Sequence, residues 1–194
     1  ISDAFNAAEN ISSENTKKDT LEFALMKSRL EVYYENIPSN AIRIFNARIQ
    51  NNPSDANYYG LALSHSNNNN YSESIKLINQ LVAKYPKNLV LNNTKVDILE
   101  AAGKYDDALN LVNKLLDISP RNYPLSISKS KILLRIGKKF EAEEIIRDQL
   151  IRKNRDPELW LLLSEIQRAG QNIVGYHQSR AEYFLLLGQN EKAL

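Results

Sequence analysis

The sequence predicts an all-α fold in which antiparallel helix pairs stack into a right-handed superhelix, an α-solenoid. Three observations lead to this prediction: a gap-free internal repeat, apolar residues at helical spacing within each repeat, and a proline after most of the repeated helices. The repeated segments are residues 39–55, 72–88, 106–122 and 140–156. The chain has 194 residues, of which 43% are hydrophobic, so it is long enough to bury a sizeable core.

A column of small residues sets the period of the repeat. Ala41, Ser74, Ala108 and Ala142 are separated by 33, 34 and 34 residues, which is the spacing of tetratricopeptide repeats. A small side chain there lets the two helices of a pair cross closely. Three further columns support the pattern: helix-stopping Pro53, Pro86 and Pro120, cap-forming Gly103 and Gly137, and the wedging aromatics Tyr71, Tyr105 and, one position later in its repeat, Phe140.

Each repeated helix is preceded by another one, so the chain is predicted to consist of helix pairs. First helices are predicted at about 22–35, 56–67, 89–102, 123–136 and 157–169, and second helices at about 39–51, 72–84, 106–118 and 140–153. A helix near 172–187 is expected to serve in two successive pairs. We expect one tetratricopeptide-repeat domain over residues 21–194, its last repeat truncated, after a linker or short leading helix over residues 1–20.

The sequence offers little catalytic chemistry. Its two histidines, His65 and His177, are far apart in the chain, and neither belongs to an HExxH motif. Cysteine is absent, which excludes disulfides and thiolate zinc sites. We therefore expect no catalytic residue, metal ligand or cofactor in this chain. The net charge of +2 gives no reason to expect nucleic acid as a partner, and the apolar runs are too short to span a membrane.

The concave surface of such a fold is the expected place for binding. It is formed mainly by recurring positions of the first helices. The predicted protein-binding groove comprises Phe23, Met26, Leu30, Tyr33, Tyr59, Leu63, Asn93, Asp97, Ile127, Lys131, Arg135, Leu161, Glu165 and Arg168. Its N-terminal wall is apolar and aromatic, and its C-terminal half is mixed in charge. The apolar wall either marks a partner or is covered by residues 1–20 or a neighbouring domain.

Three stretches resemble one known family. ALMKSRLEVYY (24–34) and YYGLALSHSNNNNYSESI (58–75) resemble the region after the protease domain of BepA-like zinc metallopeptidases, the β-barrel assembly-enhancing proteases. AGQNIVGYHQSRAEYFLLLGQNEKAL (169–194) is similar to the late repeats of the same proteins. The Lys and Asn pair with which another version of the repeat clamps chaperone tails is missing, so chaperone tails are not expected as ligands.

The resemblance implies an adaptor role. It implies that this chain is the repeat region of a periplasmic metalloprotease in outer-membrane protein assembly and quality control, with zinc only in a peptidase domain outside this chain. The implied partners are that peptidase domain, the β-barrel assembly machinery or client outer-membrane proteins. The alternative is a freestanding repeat scaffold for another cell-envelope or secretion complex, and the sequence itself does not exclude the cytoplasm. The oligomeric state is left open.

Overall fold

The structure, a computed structural model, describes residues 20–193, so the leading segment expected over residues 1–20 lies almost wholly outside the described residues. Within that range the chain forms ten α-helices, one 3-10 turn and no strand. The helices are α1 (Leu21–Tyr34), α2 (Pro38–Asn51), α3 (Asp55–Asn67), α4 (Tyr71–Lys84), α5 (Leu89–Ala101), α6 (Tyr105–Ile118), α7 (Tyr123–Arg135), α8 (Lys139–Arg152), α9 (Pro157–Ala169) and α10 (Ile173–Leu186), followed by the 3-10 turn Asn190–Lys192. The ten helices predicted between residues 22 and 187 are confirmed to within one residue at each end.

The chain divides into two compact units, and the boundary between them along the chain falls between Tyr85 and Pro86. Unit 1 contains α1 to α4, and unit 2 contains α5 to α10. In unit 1, α3 packs against α1, α2 and α4. In unit 2, each helix packs against the next one along the chain, and α5 also contacts α7.

The first helices start with a periodic side-chain cap. The residue before each of them accepts a hydrogen bond from a backbone N–H of the first turn, at 3.0–3.3 Å. These caps are Thr20, Ser54, Asn88, Asn122 and Asp156, each 34 residues after the one before. An N-cap of this kind contributes about 0.5–2 kcal/mol to helix stability. The repeat period therefore also fixes where each pair begins.

The turns inside the helix pairs follow the same period. A residue with positive φ stands at Asn69, Gly103, Gly137 and Gln171, again at steps of 34, and once more at Gly188. After each of these residues, the next N–H donates to a carbonyl five positions earlier at 2.9 Å, as in a Schellman motif. The cap predicted at Gly103 and Gly137 is confirmed, as is the tolerance of Asn for unusual backbone angles in the Asn67–Asn70 turn.

Unit 1 is built around a close helix crossing. Val32, Phe45, Leu61, Ala62 and Leu77 form its buried cluster. Gly60 faces Phe45 so closely that a Cβ at Gly60 would lie 2.2 Å from the Phe45 ring. Ala41 and Ser74, the members of the predicted small-residue column in unit 1, are buried. The Ser74 hydroxyl donates to the Ala62 carbonyl at 2.7 Å.

Unit 2 repeats this arrangement with a second cluster. The buried members of the cluster are Leu133, Ala142, Ile146, Leu150, Leu159, Leu162, Leu163 and Ile166. Ala108 and Ala142 have no exposed surface, and the Ser130 hydroxyl donates to the Ala142 carbonyl at 3.0 Å. Phe140, however, is 88% exposed, so the expectation that it wedges between paired helices is wrong.

The C-terminal end of unit 2 continues the pattern in part. Helix α10 packs against α9 and also contacts the short turn Asn190–Lys192. That turn lies within the truncated last repeat that the sequence predicts. The double role of α10 therefore stays a prediction. None of the helices between residues 20 and 193 is long and apolar enough to cross a membrane.

Candidate protein-binding surfaces

The N-terminal wall of the predicted groove is an exposed stripe on α1. Phe23, Met26, Leu30 and Tyr33 are between 44% and 76% exposed, whereas Leu25, Ser28 and Val32 on the other side of the helix are buried. We call the four exposed residues the apolar face of α1. Because large side chains recur here at helical spacing with their surfaces in solvent, this stripe has the character of an interaction surface.

Tyr59 is the one predicted groove residue that the structure contradicts. Its side chain is 0% exposed, because α3 is packed against α1 at this point. Nε of Arg29 donates to the Tyr59 hydroxyl at 3.0 Å, and the guanidinium lies 5.9 Å from the ring centroid. Tyr59 therefore belongs to the α1–α3 contact and not to an accessible wall. Its predicted neighbour Leu63 is half-buried and packs against the cluster of unit 1.

Asp97 links two first helices, and Asn93 supports it. The Asp97 carboxylate accepts a hydrogen bond from the Ser128 hydroxyl at 2.8 Å and another from the Asn93 amide at 3.3 Å. Asn93 and Asp97 both lie on α5, whereas Ser128 lies on α7, so the Ser128–Asp97 bond joins the two helices. Both predicted residues are half-buried. Their polar groups are accordingly engaged in part within the protein itself.

Four predicted residues come together in one groove of unit 2. Lys131 and Arg135 from α7 line it with Glu165 and Arg168 from α9, and Glu100 from α5 completes the charged lining. We call this site, with a volume of about 750 Å³, the charged groove. Its apolar lining comes from Leu134, Leu162 and Ala169. Glu100 also stands at one of the concave positions of its predicted first helix, like Asn93 and Asp97.

Glu100 lies at the buried edge of the charged groove. Its side chain is 17% exposed, while that of Arg135 is 67% exposed, and Arg135 Nε is 3.9 Å from the Glu100 carboxylate. Burial raises the pKa of Glu100, and the neighbouring Asp97 carboxylate raises it further, against the opposing effects of Lys131 and Arg135. The ion pair with Arg135 is thus too loose to offset the loss of hydration.

The remaining two predicted groove residues are mostly packing residues. Ile127 is half-buried and packs against the cluster of unit 2. Leu161 is half-buried as well, and its carbonyl accepts a hydrogen bond from Ser164. Of the predicted set in unit 2, the charged residues therefore carry the accessible chemistry.

A second cavity of unit 2 was not predicted from the sequence. It has a volume of about 440 Å³ and lies between α6, α7 and α8. Leu116 and Ile145 contribute apolar walls, and the buried Gln149 donates to Ser126 at 3.2 Å beside them. Its residues come from three helices and from the connection between α6 and α7, so no short sequence motif indicates it.

Metal-ligating residues do not cluster in the part of the chain that the structure describes. Among residues 20–193, no three His, Asp or Glu side chains are placed to hold a metal ion. His65 lies at the end of α3, where Asn70 Nδ2 is 3.3 Å from its Nδ1, and burial lowers its pKa. His177 is exposed and its ring contacts that of Tyr176.

Comparisons with known proteins identify the fold. Residues 99–166 match a family model described as tetratricopeptide repeat, and no curated protein matches the chain. The structure is similar to that of TTC0263, a thermophilic TPR protein of Thermus thermophilus, with a TM-score of 0.71 at 17% identity, covering 88% of this chain and 93% of that one.

Two further bacterial structures are similar. PilF of Pseudomonas aeruginosa aligns with a TM-score of 0.63 at 15% identity, over 86% of this chain and 74% of that one. A tetratricopeptide repeat protein of Parabacteroides merdae aligns with a TM-score of 0.59 at 14% identity, over 88% and 76%. Similarity at such low identity establishes the fold alone. The predicted all-α tetratricopeptide-repeat fold is confirmed, and this fold supports a role in protein–protein interaction.

Proposed function

We propose that this chain is a protein-binding adaptor that captures partners through the apolar face of α1 and the charged groove. The observation that carries the proposal is the exposed stripe Phe23, Met26, Leu30 and Tyr33, which leaves large apolar side chains in water on a helix whose opposite side is fully packed. Such a stripe favours association, because covering it removes apolar surface from solvent. The chain contributes binding surfaces and no catalytic centre or cofactor.

We further propose that the adaptor belongs to a BepA-like zinc metallopeptidase of the periplasm. This finer proposal rests on the resemblance of residues 24–34, 58–75 and 169–194 to the repeats of that family. Its partners would be the peptidase domain, the β-barrel assembly machinery or its client proteins. A freestanding scaffold for another envelope complex is the second candidate, because the repeat fold itself is compatible with either. An HExxH-bearing domain encoded directly before Ile1 supports the first candidate, and any other upstream sequence favours the second.

Photo-crosslinking tests the adaptor proposal on the protein in its cell. A photoreactive amino acid replaces Met26 in the apolar face of α1, and the matched control carries it at Ile151, which is 82% exposed on α8. We expect a specific crosslinked protein at position 26 and none at position 151. Mass spectrometry then identifies the product as a peptidase domain, an assembly component or an outer-membrane client. Equal crosslinking at the two positions would contradict a dedicated surface on α1.

A further inference from the structure

We propose that the charged groove binds an extended acidic peptide segment whose carboxylates occur at alternate positions. This inference rests on the proposed adaptor function and names the ligand chemistry of one of its two surfaces. It follows from which charges are accessible, which of them are paired, and how far apart they stand along α7.

The accessible charge of the groove is mainly positive. Lys131, Arg135 and Arg168 are exposed cations, whereas Glu165 is the only exposed carboxylate among the residues that line this site. The second carboxylate, Glu100, is largely buried against α7. A ligand that enters the groove therefore meets three cations and one anion at the surface. Such a field favours an anionic ligand and disfavours a cationic one.

The cations of the groove lack close salt-bridge partners among the described residues. Among residues 20–193, neither Lys131 nor Arg168 forms a salt bridge, and Arg135 has only the 3.9 Å contact with Glu100. Two other exposed cations of unit 2 have close partners: Arg147 donates to Glu143 at 2.6 Å, and Lys138 is 3.0 Å from Glu141. The groove thus retains donors for incoming carboxylates, and bonds to charged groups are the stronger hydrogen bonds of proteins.

Spacing selects an extended peptide. Lys131 and Arg135 are four residues apart on α7, which places them on one face about 6 Å apart along the helix axis. Alternate side chains of an extended peptide lie on the same side at about 6.6 Å. Acidic residues at positions i and i+2 can therefore meet Lys131 and Arg135 together, and Arg168 on α9 remains for a third carboxylate. The half-buried Leu134 offers apolar contact to the methylene groups of glutamate side chains.

Fluorescence anisotropy of the purified chain tests this assignment. The probe is a short labelled peptide with Glu at alternate positions. The first control peptide has the same composition, but its Glu residues stand in adjacent pairs. In the second control peptide, Lys replaces Glu. We expect the alternating acidic peptide to bind most tightly and the lysine peptide not to bind. Because the groove charges are exposed, affinity should fall as salt is raised from low to about 0.5 M. Equal binding of the acidic and lysine peptides overturns the proposal.

Charge-reversal variants locate the binding. Lys131→Glu and Arg168→Glu should each lower the affinity about tenfold, the scale of one lost charge-assisted contact. The matched control is Lys114→Glu on α6, a change of an exposed lysine outside the groove. This variant should alter the peptide affinity by less than about twofold. Circular dichroism verifies that each variant is folded. An equal loss in the control overturns the proposal.

Competition distinguishes the peptide from another polyanion. We expect that single-stranded DNA does not displace the bound acidic peptide. If DNA displaces the labelled peptide at a lower concentration than the unlabelled acidic peptide does, the proposal is overturned. The crosslinking at position 26 concerns α1 of unit 1 and does not use this groove. If that crosslink forms while the acidic peptide fails to bind, only the groove inference falls. If peptide binding holds and the crosslink is absent, the surface on α1 falls instead.

Discussion

Arg29 Nε donates a hydrogen bond to the Tyr59 hydroxyl at 3.0 Å, across the contact between α1 and α3. Tyr59 stands at a position expected to face the groove, yet its side chain is buried. The helix-crossing column that later repeats fill with Ala62, Val96 and Ser130 is occupied in unit 1 by the buried Ser28, which precedes Ala62 by 34 residues. Arg29 follows Ser28 in the chain, and its side chain satisfies the buried Tyr59 hydroxyl.

Removing this donor should destabilise unit 1. We expect Arg29→Ala to lower the free energy of unfolding by about 1–3 kcal/mol, the cost of weakening the hydrogen bonding of a buried polar group. Tyr59→Phe removes the acceptor, and the double variant should show a coupling of about 0.5–1.5 kcal/mol in a double-mutant cycle. Urea denaturation gives the four values. Strict additivity of the two single changes would show that the bond contributes nothing.

The burial of Tyr59 also limits what a surface variant can show. An aspartate at position 59 would place a carboxylate in a site with 0% exposure, so the chain would lose stability whether or not Tyr59 contacts a partner. Met26→Asp acts on an exposed position and leaves the helix intact. Only the Met26 change can therefore report on partner binding through α1.

The fold could be predicted because its signals are local and repeated. Each first helix starts with a capping side chain, the turns inside the later pairs have a residue with positive φ, and the crossings have a small residue, all recurring at steps of 33 or 34. The cap column from Thr20 to Asp156 is equally readable in the sequence. Such local signals can be recognised in the sequence without knowing which residues pack against them.

The candidate site was predicted less completely because exposure depends on neighbours. A repeat position specifies a helix face, but whether that face is free depends on the adjacent helix. Tyr59 is covered by α1 and Arg29, whereas Phe140, expected to be buried, is exposed on α8. The charged residues Lys131, Arg135, Glu165 and Arg168 line one groove and stay accessible, because burying an unpaired charge is unfavourable.

Gly60 provides a test of the helix crossing in unit 1. In a helix interior, Gly→Ala normally stabilises by about 1 kcal/mol. Here the added Cβ would lie 2.2 Å from the Phe45 ring, so we expect Gly60→Ala to destabilise by about 1–3 kcal/mol instead. Thermal or urea denaturation measures the change. The double variant Gly60→Ala/Phe45→Leu should be less destabilised than the sum of the single variants, and an additive result would contradict the close contact.

Asp55 should make the stability of unit 1 depend on acid. Its burial raises the carboxyl pKa, but hydrogen bonds from Lys84 Nζ and the Tyr85 hydroxyl, each at 2.7 Å to Oδ2, outweigh this effect and leave the pKa below the ordinary value of 3.8. A depressed folded pKa means that the stabilisation is complete above pH 3.8 and is lost as the pH falls through the folded value.

Denaturation midpoints measured between neutral pH and strong acid test the role of Asp55. We expect Asp55→Asn to be less stable than the parent at neutral pH and the difference to shrink in acid. Asp106→Asn, a change of an exposed carboxylate on α6, is the matched control and should run parallel to the parent. A constant difference between Asp55→Asn and the parent at every pH would contradict the assignment.

Glu100 should behave in the opposite sense. Because burial raises its pKa above 4.5, the ionised carboxylate is less stable in the folded chain than in the unfolded one. This penalty is complete above the folded pKa and disappears as the pH falls below 4.5. Lys131, Arg135 and Asp97 are the charged groups that act on the Glu100 carboxylate.

We expect Glu100→Gln to raise the denaturation midpoint at neutral pH and to converge with the parent in acid. Glu165→Gln, an exposed change in the same groove, should leave the midpoint unchanged at either pH, and a loss of stability in Glu100→Gln at neutral pH would show that the contact with Arg135 outweighs burial.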